Sequence, residues 1–142
     1  MTIKESEKQI MDQFASFDDW LDKYNLIVEM GKSLPLIDEK YKTDQFIISG
    51  CQSKVWLHAV YHDGRIIFTA DSDAIITKGI VNLLIQVLSN QTPDDILNEK
   101  LEFIEDIGLK EHLSPTRSNG LSSMIKQMKL YAFVFKAKME KE

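Results

Sequence analysis

The chain has 142 residues, a formal net charge of −5 and one cysteine. That length is one ordinary domain, residues 1–142, able to bury a core without staples. One cysteine excludes an intramolecular disulfide, a Cys-x-x-Cys redox pair and a multi-cysteine metal site. Basic residues interleaved among acidic ones leave no Lys/Arg stripe for phosphate backbones, so nucleic acid is not an expected partner. No apolar run approaches a bilayer span, and the charged start Met1 to Lys8 lacks the apolar core of a signal peptide, which points to a cytoplasmic protein with no membrane partner.

In chain order, Ile10, Met11 and Phe14 recur at helical spacing and predict a first helix. Ser16 with Asp19 three residues on resembles a capping box opening a second helix. On that helix Trp20, Tyr24, Ile27 and Val28 form the apolar stripe of a core-facing side, and Gly31 followed by Pro35 stops it.

The middle of the chain reads as β. Phe46 to Ser49 predicts one strand, Val55 to Tyr61 a second, and Asp63-Gly64 is a hairpin signal leading into Arg65 to Thr69 as the return strand. Apolar residues on both alternations of the second strand predict a sheet covered on part of each face. From Ser72 the period is helical again, with Ile76, Ile80, Leu83, Leu84, Val87 and Leu88 on one side of a segment running to Asn90. Gly79 within it costs about 1 kcal/mol against Ala, which predicts close approach of another element. Thr92-Pro93 reads as an N-cap with Pro at the first helical position. Gly108 closes that region, and Ser114-Pro115 opens a last helix with Leu121, Met124, Ile125, Met128 and Phe135 on its stripe and a charged, fraying tail from Lys136. Helices, a three-stranded antiparallel meander, then helices again make an α+β fold.

Cys51 stands in Gly50-Cys51-Gln52-Ser53, between the first two predicted strands. Free cysteines more often pack as small hydrophobes. Here Gly50 frees the backbone for positive φ, and Gln52 and Ser53 are polar side chains that a core would have to satisfy, so the segment reads as a turn that displays its thiol. A thiol reacts as thiolate and needs a nearby positive charge or helix N-terminus. Arg117, at the start of the last helix, is the candidate cation. His58, His62 and His112 are weak candidates for a base: one lies within a strand, one beside a hairpin turn, and one far away in sequence.

The segment Gly50-Cys51-Gln52-Ser53-Lys54-Val55-Trp56-Leu57 resembles the signature of the SufE family, sulfur-accepting partners of cysteine desulfurases. So do Trp20 with Lys23-Tyr24, the Gly31 to Pro35 segment, Asp71 to Gly79, and His112 to Leu121 with its Ser-Pro-Thr-Arg-Ser-Asn-Gly run, in the same order. The similarity covers about residues 5 to 135. It implies a SufE/IscU-like fold and a persulfide carrier in iron–sulfur cluster assembly, without a complete active site of its own. A SufS-type desulfurase, or its Csd-type counterpart, would hold the pyridoxal phosphate, and this chain would hold no cofactor and no metal. On this reading Cys51 accepts the sulfur, Arg117 supports it, Gly50, Gln52, Ser53 and Asp73 shape the partner contact, and a SufBCD-type scaffold stands downstream. The expected state is a monomer or weak homodimer. A cysteine-nucleophile hydrolase or thiol oxidoreductase would need a base or a second thiol near Cys51, and a cluster scaffold would need several cysteines.

Overall fold

The computed structural model describes residues 1–141, with side chains through Met139. Two helices lead, α1 (Ile3–Ala15) and α2 (Trp20–Lys32). A hairpin of β1 (Val55–His62) and β2 (Arg65–Ser72) follows. Then come α3 (Ile75–Leu88), the short α4 (Pro93–Asn98), α5 (Phe103–Asp106) and α6 (Leu109–His112), and the long α7 (Pro115–Lys141). The fold is α+β, as the sequence pattern implies.

Helix α3 is the centre. Ile80, Val81, Leu83, Leu84, Val87 and Leu88 are all buried, and α2, α1, β2 and α7 pack around it. Gly79 allows the closest of these approaches. A Cβ there would fall inside the Ile27 carbonyl oxygen of α2, and one on Gly31 would lie 3.0 Å from the Gly79 nitrogen. Buried Asn82 of α3 donates to the Met30 carbonyl near the end of α2 and so fixes the register of the pair.

The hairpin turns on Asp63 and Gly64, both at positive φ, as its tight turn demands. Its inner face is Val55, Leu57, Ala59, Ile66, Phe68 and Ala70, all buried. Its outer face is partly covered: Tyr41 stacks on His58 at 3.8 Å and Lys42 Nζ lies 5.0 Å from the Trp56 ring centre.

Three local expectations are corrected. The sheet has two strands, not three. Phe46 to Ser49 keeps one bridge, Ile47 to Trp56, and one hydrogen bond, from Ile48 N to the Val55 carbonyl at 2.8 Å. The next rung would join Phe46 N to the Leu57 carbonyl, but both groups are occupied. Phe46 N bonds Thr43 O within a 3-10 turn (Asp44–Phe46), and the Tyr131 hydroxyl of α7 donates to Leu57 O at 3.1 Å. Ser16 closes α1 rather than opening α2: its hydroxyl donates to the Gln13 carbonyl, while Asp19 caps α2 by accepting from Leu21 N at 3.0 Å. Finally, the tail from Lys136 continues α7 to Lys141, and Lys136 pairs with Asp94 at 2.8 Å.

Candidate functional site

The loop that carries Cys51 turns at a left-handed glycine and is tied at its exit. At its entry Gly50 takes φ of 92°, a left-handed value that favours glycine. At its exit Lys54 is held three ways. Its amide donates to Asp73 Oδ1 at 3.0 Å, and its carbonyl accepts from the Ser72 hydroxyl at 2.8 Å and from Asp73 N at 3.3 Å. These bonds place the residues just before α3 against the loop.

Cys51 lies at one side of a cleft of about 460 Å³ lined by Gln52, Ser53 and Asp73, by Thr77 and Ile80 of α3, and by Thr116, Arg117, Gly120 and Met124 of α7. The thiol is half-buried, with Sγ 3.7 Å from the Gly120 carbonyl, a weak S–H···O contact. Burial pushes the Cys51 thiol up from its ordinary value, so in this closed position it is protonated at neutral pH. Arg117 stands exposed at the cleft rim and is not among the causes of that shift. The N-terminal turns of α3 and α7 both line the cleft.

Five of the six candidate residues therefore meet in one cleft, and Gly50, the sixth, forms the turn beside it. The histidines stay outside. His58 stacks on Tyr41, with burial and Lys40 holding its ring below the usual histidine range. His62 pairs with Asp63 at 3.2 Å at the hairpin tip, and His112 stacks on Trp20 at 3.9 Å. Among the described residues no group of three or more metal-ligating side chains occurs, and no helix is long and apolar enough to cross a membrane.

The Fe-S metabolism associated domain of the SufE family matches residues 8–132. The chain belongs to the SufE family. An uncharacterised SufE-like protein of Rhizobium meliloti (strain 1021) is 40% identical over 126 residues, covering 85% of this chain and 90% of that one. One from Rhizobium etli is 38% identical over 128 residues, covering 85% of each. SufE-like protein 1, chloroplastic/mitochondrial, of Arabidopsis thaliana is 35% identical over 136 residues, or 95% of this chain but 37% of that longer protein. The solution structure of a hypothetical protein from Thermus thermophilus has the same fold, with a TM-score of 0.74 over 89% of this chain and 93% of the other at 21% identity.

SufE membership gives the chain a role in iron–sulfur metabolism. The cleft also holds residues that were not among the site candidates. Thr77, Thr116, Gly120 and Met124 complete the SufE cleft. Gly120 carried a usable signal, since a glycine inside a helix costs about 1 kcal/mol and, like Gly79, calls for a close neighbour. Thr77 and Thr116 stood within the motif runs Asp71 to Gly79 and Ser114 to Gly120, but only the packing of α3 and α7 brings them into one cleft.

Proposed function

We propose that the protein accepts sulfane sulfur from a pyridoxal-phosphate-dependent cysteine desulfurase of the SufS or Csd type, activates that enzyme, and carries the sulfur as a persulfide on Cys51 toward a SufBCD-type scaffold. The placement of the one thiol carries this reading. It sits on a loop that enters through a left-handed glycine and is anchored at its exit, beside a cleft lined by the first turns of two helices, in a chain of the SufE family.

Sulfur transfer at such a site is a thiol–persulfide exchange. The Cys51 thiolate attacks the outer sulfur of the donor persulfide; a new S–S bond forms on Cys51, the donor's S–S bond breaks, and the donor leaves as its thiolate. The proton lost from Cys51 balances the charge, and no outside oxidant or reductant enters. Burial keeps the thiol protonated and sheltered in the closed loop, so exchange requires the loop to swing out into water, where the thiol returns toward its ordinary value. A second thiol would attack the persulfide and release sulfide; with one cysteine in the chain, that route is closed internally. The hydrolase alternative would need a base beside the thiol, and none of the three histidines lines the cleft. The chain acts as a single unit in the cytoplasm, as a monomer or weak homodimer, with the pyridoxal phosphate on its partner.

Incubation with a cysteine desulfurase, pyridoxal phosphate and cysteine, followed by intact mass measurement, tests the proposal. One or more sulfur atoms should add at Cys51 and leave with reductant, and Cys51→Ser should fold and take up none. Equal loading of the serine variant would sink it.

A further inference from the structure

Between its hydrogen-bonded ends the Cys51 loop rests on α7 through contacts that only small residues allow. A Cβ on Gly120 would lie 3.6 Å from Cys51 Sγ and 3.9 Å from both Cys51 Cα and Cβ. Its three nearest neighbours all belong to Cys51, so the thiol residue itself fills the space above Gly120. One turn on along the same face of α7, Ser123 Oγ lies 2.5 Å, and Ser123 Cβ 3.4 Å, from where a Cβ on Gly50 would stand. The loop is thus laid flat on a pair of small residues, its entry glycine on Ser123 and its thiol on Gly120. Among the described residues the one polar contact between thiol and helix is the weak bond to the Gly120 carbonyl at 3.7 Å. Shape, rather than bonding, holds the middle of the loop down.

We infer that Gly120 and Ser123 are positioning residues for sulfur transfer: they form the seat on α7 that keeps the Cys51 loop closed, and they set how often the thiol is presented to a sulfur donor. The inference deepens the carrier reading, but its test uses the isolated chain and no desulfurase.

The experiment is the rate of Cys51 alkylation by iodoacetamide across a pH series, with the denaturant midpoint of each variant measured alongside. Gly120→Ala adds a methyl at ordinary contact distance and improves the helix, so it should alkylate at the wild-type rate and unfold later. Gly120→Leu needs the volume that Cys51 occupies. Overfilling a packed site shifts such a local equilibrium about tenfold, so alkylation should quicken about tenfold, and its titration midpoint should fall back toward the ordinary cysteine value as the thiol leaves its buried position. A folded Gly120→Leu with wild-type rate and midpoint overturns the inference. If that variant does not fold, Ser123→Leu decides in the same way from the other end of the loop, and failure of both to fold overturns the inference too, by showing that these positions serve the fold instead. A fast-alkylating Gly120→Leu in a chain that accepts no sulfur would sink the carrier reading and leave the seat standing.

Discussion

Arg117→Ala separates two ways in which a cation beside a thiol can serve sulfur transfer. Arg117 is exposed on the first turn of α7, and burial is the cause of the raised Cys51 thiol. An ion pair involving exposed groups is worth about 1 kcal/mol or less, and one pH unit corresponds to about 1.4 kcal/mol, so removing the guanidinium should move the thiol titration by less than about 0.7 unit. An arginine that anchors a protein interface is another matter: truncation costs about 2 kcal/mol or more, roughly thirtyfold in affinity. The expected outcome is therefore an isolated variant that folds and whose alkylation rate titrates almost as wild type does, but which binds and activates the desulfurase far more weakly. Alkylation of the isolated protein across pH and a binding isotherm with the desulfurase measure the two quantities independently. A midpoint raised by more than one unit with unchanged binding would refute the reasoning and make Arg117 a thiolate stabiliser. If neither quantity moves, Arg117 is a surface charge and leaves the site.

Gly79→Ala should lower stability by about 2 kcal/mol or more, because α2 and α3 must part to admit the methyl group, and the denaturant midpoint reads this directly. Glu7 is buried, with its Oε1 in ion-pair contact with Lys4; burial first, and then repulsion from Glu99, raise its carboxyl above the usual range against the opposing pull of Lys4. A raised acid favours the folded state while protonated, so this contribution is present below the unfolded value and is lost as pH rises through the folded one. Glu7→Gln should accordingly match wild type in acid and become the more stable protein as pH rises through that window, as denaturant melts at a series of pH values will show. An advantage for wild type at neutral pH would mean that the Lys4 contact at 3.4 Å outweighs the burial of charge.

Much of this fold was legible because it rests on local rules. The helical periods of Ile10 to Phe14 and of Ile76 to Leu88, the Asp63-Gly64 turn, and the Thr92-Pro93 and Ser114-Pro115 starts each follow from side-chain spacing or backbone freedom within a few residues. Gly79 announced a close approach for the same reason. The candidate site was legible in part: the Gly-Cys-Gln-Ser turn and the Ser-Pro-Thr-Arg-Ser-Asn-Gly run stood out as motifs.

What the sequence determined alone is therefore the main helices and the hairpin, the place of a lone thiol on a turn, and the family to which its motifs point. The tertiary structure decided which distant groups meet. Whether Phe46 to Ser49 became a strand depended on a carbonyl of β1 that a tyrosine 74 residues further on had taken. The state of the thiol depended on how deeply α3 and α7 bury it, and its seat on a glycine 69 residues away. Periodicity and turn chemistry act over a few bonds; competition for one hydrogen-bonding group and the filling of one volume act through space, between residues whose nearness only the packed fold creates.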